Sequence, residues 1–240
     1  MRRLIGWLIA LALLGGAAWL ARDFVRRHPE HFPWTALDLH QPIGPFTGRK
    51  LVALTGDPAQ CRALLARSGS ADVAVPPLLR DANCGYHDGM RLTPTGPRSV
   101  RFIPSRVVTS CPVAAGLILF ERDVLQPAAL KYFGERVAAI DHAGSYSCRR
   151  LYGRADGPFS EHATADAFDI VGFRLAGGRR IDILEDWSGS GPEAAFLRGL
   201  RDGACRLFAT VLSPDYNAAH ANHIHLDQAE RGEIGWRGCR

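Results

Sequence analysis

The sequence predicts an α+β fold, with a central antiparallel sheet flanked by helices and stapled by disulfides. Three observations carry that prediction. Helix-period and strand-period segments are mixed along the chain without the regular strand–helix–strand alternation of a parallel sheet. Hydrophobic content is 47% and charged content 22%, which supports a packed core and excludes wholesale disorder. Six cysteines (Cys61, Cys84, Cys111, Cys148, Cys205 and Cys239) lie widely spaced behind an apolar N-terminal run, a pattern of disulfides in an oxidising compartment. None stands in a CxxC pair, so a cysteine-based zinc site is not indicated. Sequence alone does not choose among the pairings; the nearest-neighbour set 61–84, 111–148 and 205–239 is the expectation, each bond worth ~3–4 kcal/mol in the chain-entropy model.

The elements follow in chain order. Residues 4–21 are apolar and uncharged between Arg2-Arg3 and Arg22-Asp23. As a helix this run spans ~27 Å, enough for a bilayer core. An uncleaved signal anchor over residues 1–21 is favoured over a cleaved signal peptide, because Trp19 falls badly for cleavage after Ala21, while cleavage after Ala18, with Gly16 and Ala18 well placed, truncates the apolar run. The arginines at both ends compete in setting orientation. Residues 22–50 read as a tether, since Pro29, Pro33, Pro42 and Pro45 prevent long helices. Residues 51–105 are expected to be a disulfide-stapled subregion: a short helix from Cys61 to a stop at Gly69, an irregular stretch from Val73 to Cys84 around Pro76-Pro77, and an edge strand from Ser99 to Ile103.

Residues 106–240 form the main domain. A helix spans 111–134, with Val113, Leu117, Phe120, Val124 and Leu125 at helical spacing and a break or kink at Pro127. Val137–Asp141 and Gly144–Cys148 read as strands. Ala167–Leu175 and Arg179–Leu184 flank Ala176-Gly177-Gly178, a hairpin turn. A helix begins at Pro192, with Ser188 and Ser190 as candidate caps, and carries an apolar face from Phe196 to Val211. His223–Asp227 is the last strand.

Net charge is +5 with pI near 9.1. The arginines are scattered and no basic run is interleaved with aromatics, so nucleic acid is not an expected partner.

The chemistry concentrates in two segments, Ser160–Asp169 and Asn222–Asp227, which hold three histidines and three aspartates. Asp169 stands among Ala167, Phe168, Ile170 and Val171, where an unpaired buried carboxylate is costly and a metal or an arginine offsets the cost. His223 and His225 lie two apart, so on a strand they share a face while Ile224 packs behind. If His162, Asp169 and His225 meet, two imidazoles and one carboxylate leave the open coordination position of a catalytic zinc.

The run Ser160-x-His162-x-x-Ala165-x-Ala167-x-Asp169 resembles the S-x-H-x-x-G-x-A-x-D signature of the zinc D-alanyl-D-alanine peptidases and their lysostaphin-related and hedgehog-like kin, and His223-Ile224-His225 resembles their downstream H-x-H. More closely, the stretch from about Cys111 onward resembles the bacterial extensin-like C-terminal domain, through Ser145-Tyr146-Ser147-Cys148-Arg149, Ser160-Glu161-His162-Ala163 and His223-Ile224-His225-Leu226-Asp227. The resemblance implies a zinc D-Ala-D-Ala peptidase-like fold with His162, Asp169 and His225 as Zn2+ ligands and His223 as general base. It also implies Arg149 (or Arg150) as the group that steadies the substrate, and Ser160 as an orienting residue. Asp227 is a candidate to orient a ligand histidine from behind, and His220 is a nearby alternative ligand. Ala165 departs from the signature's glycine; if its φ is positive, alanine there costs ~1 kcal/mol or more.

The expectation is therefore a zinc-dependent hydrolase of peptide bonds in peptidoglycan, held at the inner membrane and facing the periplasm. The alternative is a metal-stabilised module that binds the cell wall without cutting it.

Overall fold

A computed structural model describes residues 1–94, 96, 98–231 and 237–240. The apolar opening run forms one helix, α1 (Arg2–Arg27), of 26 residues, none of them buried. It is long and apolar enough to cross a membrane, with a mean hydropathy of 2.1 over its best window, as an anchor or a signal sequence would be.

After a 3₁₀ turn (Pro29–His31) the chain does not run free. Leu39 and Ile43 are buried in the main core. Arg122 donates to the carbonyls of Leu39 and Gln41, and Arg206 to that of Ile43 at 2.8 Å. The stretch expected to be a tether thus docks its second half, because two arginines satisfy carbonyls that this proline-rich backbone leaves unpaired. Its last residues already belong to α2 (Thr47–Ala53).

The next helix, α3 (Pro58–Arg67), starts where Asp57 accepts from Gln60 N–H at 2.9 Å and ends before Gly69, whose φ is +74°. The stretch expected to be irregular forms short strands: β1 (Val73–Ala74), β2 (Leu78–Asp81) and β3 (Cys84–Tyr86), followed by β4 (Met90–Arg91). The edge strand is present as β5 (Arg101–Ile103), and β6 (Val108–Thr109) joins β1 and β4 in a small sheet.

Ser110 caps α4 (Cys111–Phe120), a helix buried on every side. One π-helical turn, Glu121–Leu125, leads into α5 (Gln126–Phe133), with Pro127 in its first turn and Gly134 in the left-handed conformation at its end. Then come β7 (Val137–Gly144), β8 (Ala167–Leu175), β9 (Arg180–Asp182) and the short α6 (Ile183–Asp186). Helix α7 (Pro192–Ala204) is capped by Gly191 without a side-chain bond, so neither Ser188 nor Ser190 serves. It stops at Ala204. The apolar face read through to Val211 continues into β10 (Thr210–Leu212), followed by β11 (Ile224–Asp227) and β12 (Gly238–Cys239).

The main sheet runs β12-β10-β11-β8-β7-β5. Its middle is antiparallel as expected, but the outer pairs β5–β7 and β10–β12 are parallel. Strand β8 is long enough to serve two neighbours on one edge. Ala167–Ile170 pair with β11, and Gly172–Arg174 with β9. Helices α5 and α7 cover the sheet through Phe133 and Phe196, whose ring centroids lie 5.1 Å apart, with Phe173 of β8 at 5.5 Å from Phe196.

The disulfides are Cys61–Cys111, Cys84–Cys148 and Cys205–Cys239. Only the last follows nearest-neighbour order. Helix α3 packs on α4 and brings Cys61 to a Cα separation of 6.0 Å from Cys111. Cys84 on β3 then meets Cys148 at 5.4 Å. Both bonds join the 51–105 stretch to the main domain rather than closing it on itself. A buried ion pair adds to this joint: Arg98 Nη1 lies 2.6 Å from both oxygens of Asp72, and its Nη2 donates to Ala114 O at 2.8 Å. Breaking one partner leaves a charge in the core, so Asp72→Ala is expected to cost about 3–5 kcal/mol in urea unfolding, well above a surface change of the same kind.

Candidate metal centre

Strand alternation builds the site. On β11, Ile224 and Leu226 enter the core while His225 and Asp227 face the other side. On β8, Phe168 and Ile170 enter the core and Asp169 faces out. The register sets His225 directly across from Asp169, the closest relation two side chains on neighbouring strands can have. His162 arrives from a 3₁₀ turn (Glu161–Thr164) just before β8, with Ser160 capping that turn by accepting from His162 N–H at 3.4 Å.

The turn folds back through Ala165, which sits at φ 58° and ψ 18°. Alanine stands here in the left-handed region that the expected glycine would occupy freely. The Ala165 carbonyl accepts from Ser110 N–H at 2.8 Å and Thr109 Oγ1 at 3.1 Å, which pins the strained residue.

Ligand-type atoms of three residues converge. His162 Nε2 is 3.0 Å from Asp169 Oδ2 and 3.2 Å from His225 Nδ1; His225 Nδ1 is 2.9 Å from Asp169 Oδ1. All three residues are buried. The remaining ring nitrogens are committed elsewhere. His162 Nδ1–H donates to Ser145 O at 2.6 Å, and His225 Nε2–H donates to Asp227 Oδ2 at 3.2 Å. Asp227 is itself held by Ala229 N–H at 3.1 Å and Arg231 Nη2 at 3.3 Å. This is how metal-binding imidazoles are fixed: the outer N–H is occupied and the inner lone pair aims at the ion. Donors ~2.0–2.2 Å from a tetrahedral zinc stand roughly 3.3–3.5 Å from one another, so the set fits a small divalent cation after an adjustment of a few tenths of an ångström.

Electrostatics agree. Burial alone would raise the Asp169 carboxyl, but hydrogen bonds from His162 and His225 hold it well below the usual carboxylate range. Burial would lower His225, yet its bonds to Asp169 and Asp227 push it up to about 9. A positive charge is required between these lone pairs, and without an ion a proton supplies it.

The other sequence candidates surround this centre. His223, just before β11, places Nε2 3.7 Å from Asp169 Oδ1, while its Nδ1–H donates to Asn222 Oδ1 at 2.8 Å. His220 is held likewise by Asn217 Oδ1 at 2.8 Å and lies outside the three-ligand cluster. Burial lowers both rings, His220 to about 4, assisted by the neighbouring histidines and Arg149. Arg149 is exposed and lines the cleft. Arg150 stacks on Phe159 at 4.3 Å and donates to Gly157 O, so of the two arginines Arg149 faces the site. Asp166 stands apart: it is fully buried, accepts from Ser110 Oγ at 2.6 Å, and burial raises it well above an ordinary carboxyl.

The sequence reads Gly144–Cys148 as a strand, but β7 ends at Gly144. The turn that follows lets the Ser145 carbonyl reach His162. Nothing in a serine's identity announces a main-chain acceptor. Glu161 was also missed. It lines the cleft, and burial and then the nearby Asp227 charge raise its carboxyl. The cleft has a volume of about 610 Å³ and is walled by Tyr152, Phe159, Leu212 and Tyr216 beside the polar residues.

The family model for the extensin-like protein C-terminus matches residues 59–240. The chain belongs to the extensin-like C-terminal family. The match begins well before Cys111, so the family's domain includes α3 and the small strands that both bridging disulfides tie to the sheet. No curated protein and no solved structure matches the chain.

Two outcomes test the centre. Asp227→Asn weakens the hold on His225 and is expected to lower divalent-ion affinity about 10–100-fold by chelator competition. Because His225 is protonated up to about pH 9 in the ion-free protein and must shed that proton to act as a ligand, apparent zinc affinity should rise about tenfold per pH unit from pH 6 to 8. Calorimetry in buffers of different ionisation enthalpy should record the proton released.

Proposed function

We propose that this extensin-like protein is a zinc-dependent hydrolase of peptide bonds in peptidoglycan, working at the cell envelope. The observation that carries the reading is the buried His162–Asp169–His225 cluster with His223 beside it, open to a cleft. The resemblance of the Ser160–Asp169 and His223–His225 segments to the zinc D-Ala-D-Ala peptidases supplies the bond type.

His162, Asp169 and His225 would hold the ion. A zinc ion there supplies Lewis acidity, polarising a carbonyl and acidifying water. The protein's own groups do the rest. His223 is kept neutral by burial and holds its Nδ1–H on Asn222, so Nε2 presents a lone pair to the cleft. Hydrolysis adds water across the amide. Nε2 takes one proton from the water and gives it to the nitrogen as the C–N bond breaks. Arg149 stands on the rim, where its guanidinium can meet the carbonyl oxygen's developing charge or a substrate carboxylate. Ser160 lines the same wall and keeps the His162 turn closed.

The apolar helix α1 (Arg2–Arg27) fits an inner-membrane anchor with the domain on the periplasmic side. Three disulfides fit that oxidising compartment.

The expected result is a split between two variants. His225→Ala loses both zinc and turnover of muropeptides. His223→Ala keeps its zinc and loses turnover by about 10²–10⁴-fold, the usual worth of a positioned acid–base group. Equal turnover in wild type and His223→Ala removes the assignment. An unchanged muropeptide profile with zinc bound and the protein pelleting on sacculi would favour the non-cutting, wall-binding module instead.

A further inference from the structure

A second group of metal-binding side chains lies outside the family match, at the foot of α1. His28 follows the last residue of that helix, and Glu30 and His31 belong to the 3₁₀ turn after it. Glu30 Oε1 lies 3.2 Å from His28 Nδ1 and 3.5 Å from His31 Nε2. The three ligand atoms all lie within 4.8 Å of one another. The two spacings through Glu30 Oε1 are close to the edges of a tetrahedral zinc site.

Two further observations separate this from a carboxylate that merely accepts two hydrogen bonds. The Glu30 side chain is only 6% exposed, and its second oxygen, Oε2, is buried with no hydrogen-bond partner. A buried carboxylate with one orphaned oxygen is costly unless a cation compensates it. The backbone beneath is also fixed. Gly44 packs so closely that a Cβ there would meet the Glu30 carbonyl oxygen at 2.2 Å. Lys50, the neighbouring cation, acts on the Glu30 charge through space but spends its hydrogen bonds on Pro29 O at 2.9 Å and Thr35 Oγ1 at 2.8 Å. His28 and His31 have side chains 46% and 51% exposed, which leaves room for water at the remaining position.

We propose that His28, Glu30 and His31 form a second divalent-metal site, of the class that prefers imidazole and carboxylate donors, and that the ion ties the end of α1 to the docked segment behind it. The site needs nothing from the cleft. Its ligands all lie in the four residues that directly follow α1, from the C-cap His28 through the turn, so an occupied site fixes the exit direction of α1.

The test uses the tag-free full chain in detergent, stripped and then dialysed against zinc. Wild type should hold two zinc ions per chain. His31→Ala, at a half-exposed position, and Glu30→Gln, which keeps the side chain's shape, should each hold one. His225→Ala should also hold one, and His225→Ala combined with His31→Ala none. X-ray absorption of zinc-loaded His225→Ala should report two imidazole nitrogens and a carboxylate oxygen. Wild-type content that does not change with His31→Ala overturns the proposal, as does a folded His225→Ala that holds no zinc. If His225→Ala fails to fold, the difference between wild type and His31→Ala decides. A single zinc lost only with His31→Ala would uphold this site and sink the reading of the cleft.

Discussion

The structure turns on three lone pairs forced together in a place that water barely reaches. His162 Nε2, His225 Nδ1 and the Asp169 carboxylate face one another at about 3 Å, with the outer N–H of each imidazole already given to Ser145 O or Asp227. Such a cluster is repulsive unless a positive charge sits inside it. Strand pairing makes the arrangement obligatory. With His225 opposite Asp169, a slip of one residue would set Ile224 or Leu226 against the carboxylate and turn His225 into the core. Packing of Phe168, Ile170, Ile224 and Leu226 therefore protects the site as firmly as any polar contact, since every slip by an odd number of residues buries a charge in that apolar layer.

Strain is concentrated beside this centre. The chain reverses between the His162 turn and β8 through Ala165 at positive φ, a conformation that disfavours any Cβ by ~1–2 kcal/mol. Its methyl group is fully buried, so packing returns part of that cost, and donors from the start of α4 hold its carbonyl. The same residue links two levels of the fold. Ser110, which caps α4, also fixes Ala165 and Asp166, so the helix start and the His162 turn share one hydrogen-bond cluster. The Cys61–Cys111 bond anchors that helix start from the other side.

What the sequence made legible was periodic or local. Alternation in Asn222–Asp227 placed His223 and His225 on one face with Ile224 behind, and the Gly177-Gly178 turn marked the β8–β9 hairpin. The stop at Gly69 was legible, but the start of α3 was not: the helix expected from Cys61 begins at Pro58, behind an Asp57 cap. What stayed hidden depends on contacts between distant segments. The Cys61–Cys111 and Cys84–Cys148 pairings follow from α3 lying on α4, which no local spacing encodes. The docking of Leu39 and Ile43 rests on Arg122 and Arg206, about 80 and 163 residues further along. The apolar face beyond Ala204 kept its hydrophobicity while the backbone left the helix, because Leu207, Phe208 and Val211 serve the same core from a turn and a strand. Ser145 acts through its carbonyl, and a main-chain acceptor leaves no mark in composition.

The four histidines of the cleft divide by what their outer nitrogens meet. His162 and His225 donate to a backbone carbonyl and a carboxylate, strong acceptors that raise the basicity of the inner nitrogen and suit it to a cation. His220 and His223 donate instead to the neutral amide oxygens of Asn217 and Asn222. Burial, aided by the neighbouring imidazoles and the Arg149 guanidinium, then keeps those two rings uncharged near neutral pH. A ring in that state cannot compensate Asp169 permanently, but it can accept a proton for as long as a reaction supplies one. Of the two, His223 lies closer to Asp169 and directly precedes β11 in line with His225, whereas His220 stacks behind it with ring centroids 5.0 Å apart. In the proposed reaction, the division between holding an ion and moving a proton would thus be set one residue behind each imidazole, by whether its outer partner carries charge or a strong main-chain dipole, or only a side-chain amide.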